Sequence, residues 1–308
     1  MAERLEEWMR RDSFIAGCLF LAGILTRLLF RSQMLYHWDS VNFALATEHF
    51  DLTQSQPHAP GYLLYVLAGR ALTGLTHDPN AAYVWLSVVF SGLTVAAIYL
   101  LGRDLFGRRA GVAAALLALT SPSIWFHGEV ALTYIVEAAL VTILALACYR
   151  AAGEQRGRGA GALKGWALVA ALVLGLAGGV RQTTLALMLP MWLVAIWRTP
   201  WRVRLGAAAV LVCSVIAWLV PTILLAGGLD VYLAASRDVG GGVLSLFNEG
   251  DSGGILAAAG RVVLYLFYGL LGGGLAGLCA WVVQHRIWSV RSWWRSRSTL
   301  YAPRSTLL

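Results

Sequence analysis

The chain has 308 residues, of which 58% are hydrophobic and only 13% charged, with a formal net charge of +8 and a mean hydropathy of +0.67. A soluble domain carries roughly 25% charged residues, so the composition excludes soluble domains and points to a single all-α integral membrane domain over 1–308. The basic residues flank apolar runs rather than forming a solvated face, which argues against a nucleic-acid partner and for the positive-inside rule.

A span needs about 20 predominantly apolar residues. Eight stretches qualify in chain order: Phe14–Phe30, Pro79–Leu101, Ala110–Ile124, Tyr134–Tyr149, Gly165–Val180, Thr183–Trp197, Leu205–Ala226 and Leu256–Val283. The third and sixth are short, which implies tilt or thinning of the bilayer, or spans that extend beyond these ends. No repeat of fixed period appears, and the apolar stretch after Ser13 is too long for a cleaved signal peptide. Cys18, Cys148, Cys213 and Cys279 all lie in apolar stretches without CxxC spacing and read as packing residues.

The connections alternate in charge. Eighteen of the 24 basic residues fall on one set: Arg4, Arg10, Arg11; Arg103, Arg108, Arg109; Arg150, Arg156, Arg158, Lys164; Arg198, Arg202, Arg204; and Arg286, Arg291, Arg295, Arg297, Arg304. That set is predicted to be cytoplasmic, with both termini, in a multi-pass plasma (inner) membrane protein. The basic tail 284–308, with Trp288, Trp293 and Trp294, reads as an interfacial anchor on membrane lipid.

The long connection 35–78 is predicted to lie outside and holds four of the six histidines. From Trp38, positions Trp38, Val41 and Leu45 share one helical face, while Asp39, Asn42, Ala46 and His49 share the next. This predicts an amphipathic helix on the membrane surface with a carboxylate near its start. Asp39 suits two roles there, a helix N-cap or a base. Gln54–Tyr62, with Pro57, Pro60 and Gly61, predicts a stiff irregular turn. Tyr62–Leu72 follows as a second interfacial helix, and Asp78-Pro79 reads as an N-cap with proline at the first helical position. The stretch 227–255, with Gly240-Gly241-Gly242 and Gly253-Gly254, reads as a flexible outer loop.

Trp38-Asp39-Ser40 soon after a first span, followed by Pro57-His58-Ala59-Pro60-Gly61-Tyr62, resembles the first outer loop of GT-C glycosyltransferases of the protein O-mannosyltransferase and aminoarabinose-transferase type. Ala59 stands where that family's element has a second consecutive proline. Leu101–Gly111 running on to Ser121-Pro122 is similar to the family's second-to-third span connection. Gly128-Glu129-Val130 resembles its second outer loop, and Gly178-Gly179-Val180-Arg181-Gln182 sits where the family carries a basic residue near the lipid phosphate. The likeness covers about residues 14–200.

The resemblance implies about eight spans with two juxtamembrane helices in the first outer loop. It also implies transfer of a sugar from a polyprenyl-phosphate carrier to an acceptor hydroxyl on protein, lipid or glycan, at the outer face and with inversion. Asp39 is the expected base. Arg27, Arg31, His58, Glu129, Arg181 and Gln182 are the expected substrate-binding residues. The leaving group is already a stable anion, so it needs cations and hydrogen bonds more than a strong acid.

Each has an ordinary alternative. Arg27 and Arg31, at i and i+4, suit snorkelling to headgroups; His58 suits packing in the proline turn; Glu129 suits pairing with an arginine, as does Glu137. His37, Asp39, His49, His58, His127 and Glu129 could supply ligands to a divalent metal, but no His-x-x-x-His or Asp-x-Asp spacing supports one, so no metal or other cofactor is expected. Two competing functions are a secondary transporter or flippase, against which the outer placement of the acids argues, and a non-catalytic assembly subunit that kept the fold.

Overall fold

The computed structural model describes residues 2–154, 160–248 and the positions 259, 260 and 263. By its internal contacts it comprises two compact units, 1–239 and 240–308. The predicted stretch Leu256–Val283 and the tail 284–308 lie outside the described residues. The described residues form eleven helices and no strand.

Helix α1 (Ala2–Leu28) leads to α2 (Trp38–Glu48) and α3 (Leu63–Thr76), the two helices expected in the first long connection. The face of α2 that carries Phe43 and Ala46 is buried, while Trp38 and Leu45 stay exposed, as an apolar stripe facing lipid would. Arg70 of α3 donates from Nε to the Thr47 carbonyl at 2.7 Å and from Nη2 to that of Ala46 at 3.2 Å. It thereby satisfies carbonyls that the last turn of α2 leaves without helical partners.

Helix α4 (Pro79–Phe106) starts as read: Asp78 accepts from the Asn80 amide at 2.9 Å, with Pro79 in the first turn. The third apolar stretch is not one helix. It breaks into α5 (Arg108–Thr120) and α6 (Pro122–His127), because Pro122 has no N–H to continue the ladder and holds Ser121 extended. Then come α7 (Tyr134–Glu154), α8 (Ala160–Val180), α9 (Gln182–Ile196) and α10 (Trp201–Leu225).

Among the described residues, three helices are long and apolar enough to cross a membrane: α4, α7 and α10. The described parts of α8 and α9 are apolar but shorter. The multi-pass character is therefore plain, although the eight-span count is not reached.

Packing is layered about α4. Leu19, Val95, Tyr99 and Ala115 join α1, α4 and α5 near one end; Phe43, Tyr65, Tyr83, Val88, Ala131 and Ile135 join α2, α3, α4 and α7 near the other. A third cluster, including Leu144, Ala171, Leu174, Trp192 and Ala207, joins α7 to α10.

The stretch 227–255, read as a flexible loop, is helical over most of its length: α11 spans Leu229–Asn248, and only 249–255 fall outside the described residues. The interruption is confined to Gly227 and Gly228, with φ of +91° and +118°. Leu229, Tyr232, Leu233 and Ser236 then recur at helical spacing, with Asp230 in the first turn, where the helix dipole favours an acid.

Candidate functional site

Asp39 lies in the first turn of α2, but it is not the cap. His37 fills that position: its Nδ1 accepts the Asp39 backbone N–H at 3.1 Å. The Asp39 carboxylate is thus left to face outward, 28% exposed, with Oδ2 3.5 Å from His37 Nδ1 and Oδ1 3.8 Å from His58 Nδ1.

The proline turn presents His58. Its Nε2 is 3.1 Å from the Tyr62 hydroxyl, and its ring packs against Phe43 and Tyr62. Tyr62 itself stands in the left-handed region, with φ 46° and ψ 36°, at the start of α3. Burial lowers the proton affinity of His58; the Asp39 carboxylate opposes this and the Arg181 guanidinium adds to it. Burial pushes the Tyr62 phenol up, an effect that Arg181 moderates. Asp39 and Arg181, distant in sequence, thus both act electrostatically on the same imidazole and phenol.

Arg181 is the single extended residue between α8 and α9. One Nη donates to Glu137 Oε2 at 3.1 Å, and the guanidinium lies 4.8 Å from the centre of the Tyr134 ring. The Thr184 hydroxyl donates to the other oxygen of Glu137. Gln182 bridges two neighbours, donating to the Pro60 carbonyl at 3.1 Å and accepting from the Tyr232 hydroxyl of α11 at 2.9 Å. The Ser40 hydroxyl donates to the Ala131 carbonyl at 2.8 Å, tying the segment before Tyr134 to α2.

The remaining expected binders have other partners. Arg27 is fully buried: Nη2 donates to the Leu119 carbonyl at 2.8 Å, Nη1 to the Thr26 hydroxyl at 2.7 Å, and the guanidinium sits 4.5 Å from the centre of the Trp125 ring. Those contacts join α1, α5 and α6, so in this structure Arg27 serves packing. Glu129 neighbours it. Its carboxyl is pushed up by burial, an effect opposed by the Trp125 indole that donates to it and by the field of Arg27. Arg31 is exposed and donates to the Leu28 carbonyl at 3.1 Å, closing the C-terminus of α1.

Sequence reasoning missed His37 as the cap, and it missed Tyr62, Tyr134, Thr184 and Tyr232. Tyr62 lay inside the quoted proline motif. The others are joined to the site only through pairings between distant helices, which no local pattern signals. Among the described residues, no three His, Cys, Asp or Glu side chains gather as metal ligands would.

The opposite ends of α4 and α7 carry a different cluster. Asp12 of α1 pairs with Arg103 at 3.1 Å and Arg108 at 2.7 Å, and accepts from the Tyr99 hydroxyl at 2.7 Å. Asp104 pairs with Arg103 and, at 2.8 Å, with Arg150.

Asp39, His37 and His58 thus gather beside the proline turn, to which Gln182, next to Arg181, is also tied. The model of the dolichyl-phosphate-mannose-protein mannosyltransferase family matches residues 55–225, more than half of the chain, and the chain belongs to that family of GT-C membrane glycosyltransferases. The matched span includes His58, Glu129, Arg181 and Gln182; Asp39 lies before it and joins the site through His58. No curated protein and no solved structure matches the chain.

Proposed function

We propose that the protein transfers a sugar from a polyprenyl-phosphate carrier to an acceptor hydroxyl at the non-cytoplasmic face, with inversion. The acceptor oxygen bonds to the anomeric carbon as the bond from that carbon to the phosphate oxygen breaks. The acceptor proton passes to Asp39, and the lipid phosphate departs as an anion beside Arg181. General-base catalysis requires a carboxylate within reach of the acceptor hydroxyl, and that of Asp39 is partly exposed beside His58. A guanidinium held by Glu137 and Tyr134 presents the rest of its donor fork to phosphate without having to be oriented during the reaction.

The observation that carries this reading is that the proline turn meets both groups: His58 lies 3.8 Å from Asp39, and Gln182, next to Arg181, donates to the Pro60 carbonyl. The membrane orientation rests on the other end of the bundle, where Arg103, Arg108 and Arg150 gather as a cytoplasmic surface would. Arg31, exposed at the end of α1, is the second cation available to a lipid headgroup.

The test uses purified full-length protein in proteoliposomes with a radiolabelled polyprenyl-phosphate sugar and mixed hydroxyl acceptors. Label should move to acceptor and stop moving in Asp39→Asn. Undiminished transfer by Asp39→Asn would sink the proposal. So would accumulation of unreacted donor inside the vesicles, the mark of a flippase, or binding of donor with no transfer, the mark of an assembly subunit.

A further inference from the structure

We infer that His58 is a positioning residue for Asp39, held as the Nδ1–H tautomer by Tyr62, so that a line of hydrogen bonds runs from the Tyr62 hydroxyl through the imidazole to the Asp39 carboxylate. This rests on Asp39 being the base.

The argument is one of donors and acceptors. Two imidazoles stand beside Asp39, and each turns its Nδ1 toward the carboxylate. They cannot act alike. His37 Nδ1 already accepts the Asp39 backbone N–H at 3.1 Å, so in the neutral ring it carries a lone pair and its proton is on Nε2. It has no hydrogen to give the carboxylate, which leaves His58 as the imidazole able to donate.

His58 Nδ1 is buried and has no hydrogen-bond partner among the described residues. An Nδ1 lone pair turned toward an ionised carboxylate 3.8 Å away would repel it, whereas an N–H would attract it. The Nδ1–H form requires Nε2 to be the acceptor, and the Tyr62 hydroxyl, 3.1 Å away, is a donor suited to it. Both contacts are favourable in this tautomer, and only the contact to Tyr62 in the other. The 3.8 Å gap exceeds a hydrogen bond and closes with a small rotation of the carboxylate, as catalytic contacts do when substrate arrives.

The backbone supplies an independent sign. A tyrosine at φ 46° occupies a region disfavoured for bulky side chains. Such conformations concentrate where a side chain must be aimed, and here the aim is at His58 Nε2.

An asparagine amide nitrogen overlays imidazole Nδ1, and a glutamine amide nitrogen overlays Nε2. His58→Asn therefore keeps a donor toward Asp39, and His58→Gln does not. In the transfer assay, His58→Gln should lose about 10- to 100-fold in kcat, the range for a hydrogen bond to a charged group, with donor KM little changed. His58→Asn should recover most of that loss. Tyr62→Phe, which removes one oxygen, should lower kcat several-fold, again without moving donor KM. Nitrogen-15 NMR of histidine-labelled protein, with the His58 signal assigned from its loss in His58→Asn, should show Nδ1 protonated near neutral pH.

Equal losses in the two His58 variants, a loss confined to donor KM, or an Nε2-protonated His58 signal would each overturn the inference. If Asp39→Asn abolishes transfer while the two His58 variants behave alike, the tautomer assignment alone fails. If Asp39→Asn transfers normally, the base assignment falls and this inference with it.

Discussion

The two ends of helices α4 and α7 use the same residue types to opposite ends. At one, Asp12 and Asp104 are each held by arginines, and a tyrosine hydroxyl completes the set. At the other, Arg181 has its acid, Glu137, but Asp39 has no arginine partner among the described residues and faces imidazoles at 3.5 and 3.8 Å. A fully paired carboxylate has its lone pairs occupied and its charge neutralised, so it holds helices together. An acid that faces imidazoles instead has oxygens open to a further partner, which is what the proposed function asks of Asp39. Pairing, rather than residue type, is the contrast between the two ends.

The sharpest way to break this contrast is to neutralise both acids in turn. Asp39→Asn should lower transfer by about 10²- to 10⁴-fold, the usual contribution of a general base, with the thermal unfolding midpoint unchanged within a degree or two. Asp12→Asn should do the reverse. It removes the acid that Arg103 and Arg108 share, while Arg103 keeps Asp104, and should lower the unfolding midpoint with kcat per folded molecule retained. If Asp12→Asn impaired catalysis as strongly as Asp39→Asn, the division of labour would be wrong.

A smaller effect tests how rigidly the reactive end is supported. A Cβ on Gly69 would lie 2.1 Å from the ring of Tyr83, which stacks on Tyr65 and donates to the Phe43 carbonyl. Gly69→Ala should destabilise by about 1–2 kcal/mol through overpacking and lower transfer a few-fold, because Phe43 also packs against His58. Normal stability in that variant would show that α3 and α4 can separate at little cost.

The smallest effect is in pH. His58 is faced by Asp39 from α2, by Tyr62 at the start of α3 and by Arg181 between α8 and α9, with Tyr134 and Glu137 of α7 behind. Its proton affinity in the fold lies below the ordinary 6.5, so the unfolded chain binds this proton first. The stability it contributes is complete above pH 6.5 and is lost as pH falls through the folded value. Activity should show an acid limb below pH 6.5, reduced in His58→Asn; a limb above 6.5 would contradict the direction of the shift.

Much of this architecture was legible from the chain alone. Asp78-Pro79 announced the start of α4, three-and-four spacing marked α2, and Arg181 stood out as a cation in a region otherwise poor in them. What could not be read were relations between helices. Nothing near Arg27 says that its guanidinium ends on the Leu119 carbonyl and the Trp125 ring; the same spacing fits headgroup snorkelling or phosphate binding. Nor does local pattern say that His37 takes the cap and so releases Asp39, since aspartate is the better intrinsic cap. The glycine-rich stretch misled for a related reason: glycine weakens a helix without forbidding one, and α11 persists through Gly240.

The joint at Arg181 constrains how this chain can vary. One residue separates α8 from α9, so the guanidinium is registered against two rods rather than carried on a loop. An extra residue there would shift the register of α9 against α8, taking Thr184 away from Glu137 and Gln182 away from the proline turn. At this corner a single insertion would separate the groups that Arg181, Gln182 and Thr184 hold together.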